Sequence, residues 1–434
     1  MNNTMKHLKL SLLLVTIFYL LGCETAINQE KQSEVNAESE EMSITEASID
    51  AVLSFVKEVY PQKYKTLSLT KETLQPEFVT NASYERNKFF APSTDNTNRK
   101  IDTLLSVINF GNDEGFAIVS TKDNQVLAVT ESGNLSAEEL TMDYSSEDFE
   151  NNPKAVISNY VTNYIIGPTI PVGPVVPTDS IDMGYMIRGP WVTETETQIG
   201  PFVQINLGQG YPYNLFCKDS IGNYVNAGCG AIAVIQIMSA NKYPNTIGNT
   251  TDNWNTIINQ YETSIDAQKT LATWIRTIGD QCGIKYYNRE SSCKISGVKG
   301  CLSLYSRYTN IDTISNPNYD DIESILENET PLYFRGTRID SIGKHKGHAW
   351  VVDGSIRQKQ SIKLYSSDGV LNGEYHEYRN LIHCNWGWDG KCNGYYVMNV
   401  FNLNNGAIIP DGGNSGTEPK LYNLEIKTLT YNLQ

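Results

Sequence analysis

Ala227-Gly228-Cys229-Gly230 leads into a strongly apolar run, Ala231-Ile232-Ala233-Val234-Ile235-Gln236-Ile237-Met238. The run reads as a helix, and a thiol at a helix start lies in the positive end of the helix dipole, which favours the reactive thiolate. Gly228 and Gly230 clear side chains from around the sulfur, so a substrate backbone can approach it. Two later segments carry what such a thiolate needs: Gly347-His348-Ala349-Trp350-Val351-Val352-Asp353-Gly354 and Asn385-Trp386-Gly387-Trp388. Together they read as nucleophile, base and orienter in the chain order Cys, His, Asn.

Each residue has a plainer alternative. Cys229 could be a buried structural thiol or half of a disulfide, since free cysteines mostly just pack. His348 competes with His345, His376 and His383, and could be a packed histidine on a strand. His345 lies between Lys344 and Lys346, whose charge disfavours a useful base, and His376 lies in an acidic, solvated stretch. Asn385 would fix the imidazole tautomer through a hydrogen bond, with Trp386 and Trp388 keeping water from it. Core packing is the competing role for both tryptophans, more so for Trp388. Gln209 lies twenty residues before Cys229, in Leu207-Gly208-Gln209-Gly210-Tyr211-Pro212-Tyr213-Asn214. Its amide could join the Cys229 N–H in holding a developing oxyanion.

These residues need a scaffold. An amphipathic helix is expected over Ser43–Val59, on Ile44, Ile49, Val52, Phe55, Val56 and Val59. A three-stranded meander follows: Leu104–Phe110, Phe116–Thr121 and Val126–Thr130, with polar turns between. Residues 45–165 thus read as a small α+β domain without cysteine or histidine, poorly equipped for nucleophilic chemistry. Gly167 to Pro177 carries four prolines, which favours an extended, protease-accessible linker over 166–185. The second domain, 186–434, opens with the Cys229 helix and a helix over about 255–280. Short strands are expected at 332–334, 348–352, 362–365, 382–386 and 395–400. Helices first and strands later argue an α+β class.

The set Gln209 with Pro212-Tyr213-Asn214, Gly228-Cys229, Gly347-His348-Ala349-Trp350-Val351 with Asp353-Gly354, and Asn385-Trp386-Gly387-Trp388 resembles the streptopain family of papain-like cysteine peptidases. The likeness covers roughly residues 200–400. It implies a papain-like, two-subdomain α+β fold and a zymogen whose N-terminal propeptide, here 45–165, blocks the cleft until removed. It implies Cys229 as nucleophile, His348 as base, Asn385 as orienter of His348, and Trp386 as the cover of that pair. Gln209 would serve the oxyanion hole and Gly347 would line the substrate backbone. An apolar preference two residues before the scissile bond is implied as well. Gly230, Ile232, Leu207 and Asp389 depart from the family pattern and bear on cleft shape, and the cysteines are more numerous than usual. The chemistry calls for no metal and no organic cofactor.

The N-terminus carries an address. Lys6 and Lys9 precede an apolar run, Leu10 to Leu21, that is too short to span a bilayer and ends at Gly22-Cys23. This reads as a lipoprotein signal over 1–22, with lipid on Cys23 and a polar tether over 23–44. The expected location is a bacterial cell envelope, anchored through that lipid, with extracellular release after processing as a further outcome. The net charge of −15 argues against nucleic-acid partners. Expected partners are protein or peptide substrates, the chain's own prodomain as inhibitor, and the membrane through Cys23. Cys217, Cys282, Cys293, Cys301, Cys384 and Cys392 are open to disulfide pairing, with Cys293/Cys301 and Cys384/Cys392 as plausible local pairs. Two rival functions share many of these features: a cell-wall hydrolase built on Cys and His, and a non-catalytic surface lipoprotein.

Overall fold

The computed structural model describes residues 44–80, 103–111, 113–121, 124–142, 144, 152–166, 185–193, 197–287, 290–339, 345–398 and 425–434. The signal at 1–22, Cys23 and the tether up to residue 43 lie outside these residues, as does the linker except for Ile166 and Tyr185 at its ends.

The N-terminal half begins with helix α1 (residues 44–59) and helix α2 (Pro61–Leu67). α1 buries Val52, Phe55 and Val56, one stripe of an amphipathic helix. Strands β1 (Pro76–Thr80), β2 (Thr103–Asn109), β3 (Phe116–Ser120) and β4 (Val126–Thr130) form an antiparallel meander. α3 (Ala137–Thr141) follows, started by a capping box between Ser136 and Glu139, and then α4 (Pro153–Ile166).

Strand β5 (Tyr185–Thr193) leads into the C-terminal half, whose helices come first. α5 (Cys229–Asn241) is buried along nearly its whole length, from Gly230 to Ser239, so it is apolar on every face. The single helix expected over 255–280 is two, α6 (Trp254–Gln260) and α7 (Ile265–Gln281). Ser264 separates them because its side chain caps the Ala267 N–H and starts a new helix. Two short ribbons follow α5 and α7: β6 (Thr246–Ile247) with β7 (Thr250–Thr251), and β8 (Lys285–Tyr287) with β9 (Glu290–Ser292). α8 (Ile295–Leu302), β10 (Tyr308–Ser315) and α9 (Tyr319–Leu326) come next.

The remaining strands are β11 (Leu332–Ile339), β12 (His345–Tyr365), β13 (Leu371–Asn385), β14 (Gly394–Val397) and β15 (Glu425–Leu433). The segments expected at 348–352 and 362–365 are one continuous strand, β12. Alternation along β11 and β12 explains how both sheet faces are filled. Phe334, Trp350 and Val352 point into a core shared with the N-terminal half. Tyr333, Ala349 and Val351 point into a second core with α5 and α7.

The sheet order is β1-β2-β3-β4-β14-β13-β12-β11-β15-β10, with β5 beside β12. The two halves therefore share one sheet, joined where β4 pairs with β14 at Ala128↔Tyr396 and Thr130↔Gly394. Beyond that pair the Glu131 N–H donates to the Asn393 carbonyl at 2.7 Å, and the Ser132 hydroxyl to the Gly390 carbonyl at 2.7 Å.

A buried charge chain crosses the same seam. His383 Nδ1 meets Asp353 Oδ1 at 2.6 Å, and its Nε2 lies 3.4 Å from Glu131 Oε1. Burial opposes the charge on His383, but Asp353 and Glu131 outweigh it and push the imidazole up to about 10. Burial likewise opposes the Glu131 charge, and His383 and Lys63 outweigh it, so its carboxyl lies below its ordinary value. The signs give the pH window. A raised histidine stabilises fully below its free value, about 6.5, and loses that contribution as pH rises towards 10. A depressed carboxylate stabilises above its free value, about 4.3, and loses it as pH falls further. The seam is therefore strongest between about pH 4.3 and 6.5. Glu131→Gln should lower stability by about 1–3 kcal/mol in that window. Thermal melts of both proteins across pH should converge below pH 4; an equal gap at every pH would contradict the charge chain.

Candidate active site

Gly228 precedes α5 with φ 96, a left-handed conformation that favours glycine, and sets the turn that presents Cys229 at the first helical position. No side chain caps this end of the helix. Cys229 is partly exposed and packs at the margin of the second core. The Ala227 N–H donates to the Gln209 carbonyl at 2.9 Å, so the Gln209 segment is fastened two residues ahead of the thiol. Cys293 Sγ fills the space over Gly230, where a Cβ would sit 2.5 Å from it. A bulky residue at 230 would displace that sulfur.

His348 lies on β12 opposite Gly336 of β11 and is 1% exposed. Its Nε2 is 2.9 Å from the Trp386 carbonyl oxygen, so this nitrogen carries the proton and donates it. Nδ1 is then the lone-pair nitrogen, buried and without a hydrogen-bond partner among the described residues. Burial pulls the imidazole down to about 3, only partly offset by the Trp386 carbonyl, so the ring is neutral in this state. Trp388 stacks on it at 3.9 Å between ring centroids and 7° between planes.

Asn385 does not hold His348, contrary to its expected role as direct orienter. Its Oδ1 accepts from Gln236 Nε2 at 2.6 Å and from the Gly387 N–H at 3.3 Å, and its Nδ2 donates to the Ile205 carbonyl at 3.4 Å. The side chain points at α5 and holds the turn that places the Trp386 carbonyl. The tryptophans also exchange their expected roles. Trp386 is fully buried in the first core, 6.3 Å from His348 and tilted by 29°, whereas Trp388 is the ring in close stacking contact. Gly347 lies beside His348, paired with Thr337.

Sequence reasoning missed the Trp386 carbonyl and Gln236. A backbone acceptor leaves no residue signature, and Gln236 reads as one polar position in an apolar helix. That lone glutamine was the available signal, because a buried amide must find partners. None of the seven described cysteines is in a disulfide, so the local pairs 293/301 and 384/392 are not bridged. The Cys282 thiol instead adjoins Cys301. No group of residues suited to a metal ion occurs among the described residues.

Residues 207–396, which contain all of these groups, match the sequence profile of the Peptidase C10 family. The matched segment, together with its relatives, supports a cysteine peptidase of the streptopain type. Streptopain of Streptococcus pyogenes is 24% identical over 333 residues, covering 66% of this chain and 74% of streptopain. The thiol protease/hemagglutinin PrtT of Porphyromonas gingivalis is 23% identical over 405 residues, 85% of this chain and 41% of that protein. Among solved structures, a prointerpain A fragment of Prevotella intermedia gives a TM-score of 0.47 at 19% identity, covering 82% of this chain and 98% of the fragment.

The bond from Gln236 to Asn385 is the strut between α5 and the 385–387 turn. Gln236→Leu should cost about 1–3 kcal/mol, since Asn385 Oδ1 loses its nearest donor inside the core. Peptidase activity should fall further than folded protein does, because the Trp386 carbonyl loses its support. Full specific activity in the folded fraction would show that the strut is dispensable.

Proposed function

We propose that the chain is a secreted, lipid-anchored zymogen of a papain-like cysteine endopeptidase, in which Cys229 is the nucleophile and His348 the base. One observation carries this reading. The Trp386 carbonyl fixes the tautomer of His348, leaving a neutral imidazole with an unpartnered Nδ1, on the strand against which the Cys229 helix packs.

In this mechanism His348 Nδ1 takes the thiol proton. The sulfur attacks the peptide carbonyl carbon, forming a C–S bond and placing negative charge on oxygen. The Gln209 side-chain amide and the Cys229 N–H stabilise that oxyanion. The tetrahedral species collapses, the C–N bond breaks, and the imidazolium gives its proton to the leaving amine. Water then loses a proton to His348 and attacks the thioester, releasing the acid and restoring the thiol. Asn385 acts as a positioning residue through the turn, and Gly347 borders the substrate backbone.

Residues 45–165 are proposed as the inhibitory prodomain. The shared sheet supports this, since Ser132 and Glu131 bond to the segment 390–393 directly after Trp388 and Asp389. Cleavage within 166–185 would free the enzyme and separate it from a lipid at Cys23. The envelope address rests on the N-terminal sequence alone.

The test compares the chain from residue 24 with its Cys229→Ala and His348→Gln variants. Casein hydrolysis and chain size by mass spectrometry are read under mild reduction, before and after limited trypsin. Wild type should shorten near the linker and cleave casein, while Cys229→Ala should do neither. Gln209→Ala should lose about 10²–10³ in kcat by analogy with other oxyanion donors. Normal turnover in Cys229→Ala would end this reading.

A further inference from the structure

A cavity of about 710 Å³ lies beside the candidate active site. Gln209, Trp388, Asp389 and Lys391 form its wall in the C-terminal half, and Asn134 and Lys154 close it from the N-terminal half. Its place relative to the chemistry follows from His348. That ring is stacked on Trp388, and in the proposed mechanism it delivers its proton to the leaving amine. Trp388 and the residue after it therefore border the part of the substrate that leaves first.

Asp389 is held there with its carboxylate forward. Its backbone is left-handed, with φ 56, and its N–H donates to the Leu207 carbonyl at 3.0 Å. The carboxylate lies flat against Gly208, where a Cβ would meet its atoms at 2.3–2.4 Å, so glycine alone leaves room for it beside Gln209. It forms no hydrogen bond and no ion pair among the described residues. Lys391 on the same wall acts on it only through space, and burial of its inner side outweighs that help and raises the carboxyl above its ordinary range. Lys154 is no partner either, because Glu139 at 2.6 Å and Asn134 at 3.0 Å hold its ammonium. A carboxylate without a salt-bridge partner, on the wall next to Gln209 and Trp388, is met best by a cation that the substrate brings.

We propose that Asp389 is a specificity-determining residue that selects a basic side chain, lysine or arginine, on the leaving-group side of the scissile bond. This rests on the assignment of Cys229 and His348 as the catalytic pair. Asp113, which also lines the cavity, and Lys154 would leave with the N-terminal half on processing, so Asp389 and Lys391 remain as the opposed charges on the open wall.

The test uses the full chain activated by cleavage in the linker and a set of peptides that differ only in the residue after the cut. Lysine, alanine and glutamate are placed there, cut sites are confirmed by mass spectrometry, and kcat/KM is measured for each. Wild type should prefer lysine over alanine by about fivefold and disfavour glutamate by a similar factor. Asp389→Asn should bring the three rates together while leaving the alanine peptide close to wild type. Lys391→Ala should widen the lysine preference, because it removes the competing cation. Equal rates for the three peptides with wild type, or an unchanged preference in Asp389→Asn, would overturn the proposal. If wild type cuts no peptide, or if Cys229→Ala cuts as wild type does, the catalytic assignment beneath it has failed.

Discussion

The pairing of β12 with β13 is the constraint on which the site depends. Its register sets Val351 opposite Asn385 and Val352 opposite Cys384. The strand carrying His348 is thereby locked to the one that ends in the Trp386 turn. A shift by one residue would turn every side chain of β12 to the other face. His348 would leave the first core for the second, and the Trp386 carbonyl would lose its donor. Two filled cores forbid such a shift, since Trp350 and Val352 on one face and Ala349 and Val351 on the other have no second place to go. Ordinary apolar packing thus fixes the direction of one hydrogen bond.

The same economy governs the cysteine side. α5 has little amphipathic character because it is enclosed, and two of its positions have separate tasks. Gly228 gives the turn before Cys229, and two turns further on Gln236 reaches Asn385. The helix therefore spans the distance between the thiol and the strut of the histidine. Movement of either end would be felt at the other, which ties the proposed nucleophile to the strut behind the turn that holds His348. The neutral, buried state of His348 fits this arrangement, for its ring is enclosed by Trp388 and Trp386 rather than by water.

Much of this was legible in the chain itself. The meander strands agree with the structure to within a residue at most ends, because short, β-branched-rich apolar runs closed by polar turns mark them out. The apolar run after Cys229 was recognisable as a helix for the opposite reason, being too long and continuous for a strand. The break at Ser264 was missed because the apolar rhythm continues across it, while a single capping hydroxyl decides the boundary. β5, β10 and β15 were missed because they are mixed in polarity and gain their place only by pairing with distant strands. At the site, residue types were readable and their partners were not. The Cys, His, Asn and Trp pattern singled out these segments, but which of two tryptophans stacks on His348 depends on a turn that only the folded chain displays.

The pairing of β4 with β14 bears on the fate of a processed chain. β14 is short, with four residues between Gly394 and Val397, and its outer edge is satisfied by Ala128, Val129 and Thr130. Taking those residues away uncovers a row of backbone donors and acceptors together with Tyr395 and Tyr396, both almost fully buried while covered. In the proposed zymogen the N-terminal half would then be more than a stopper over a cleft. It is the sheet's own hem, and a chain stripped of it has a raw edge open to any extended segment that comes near, its own neighbours included.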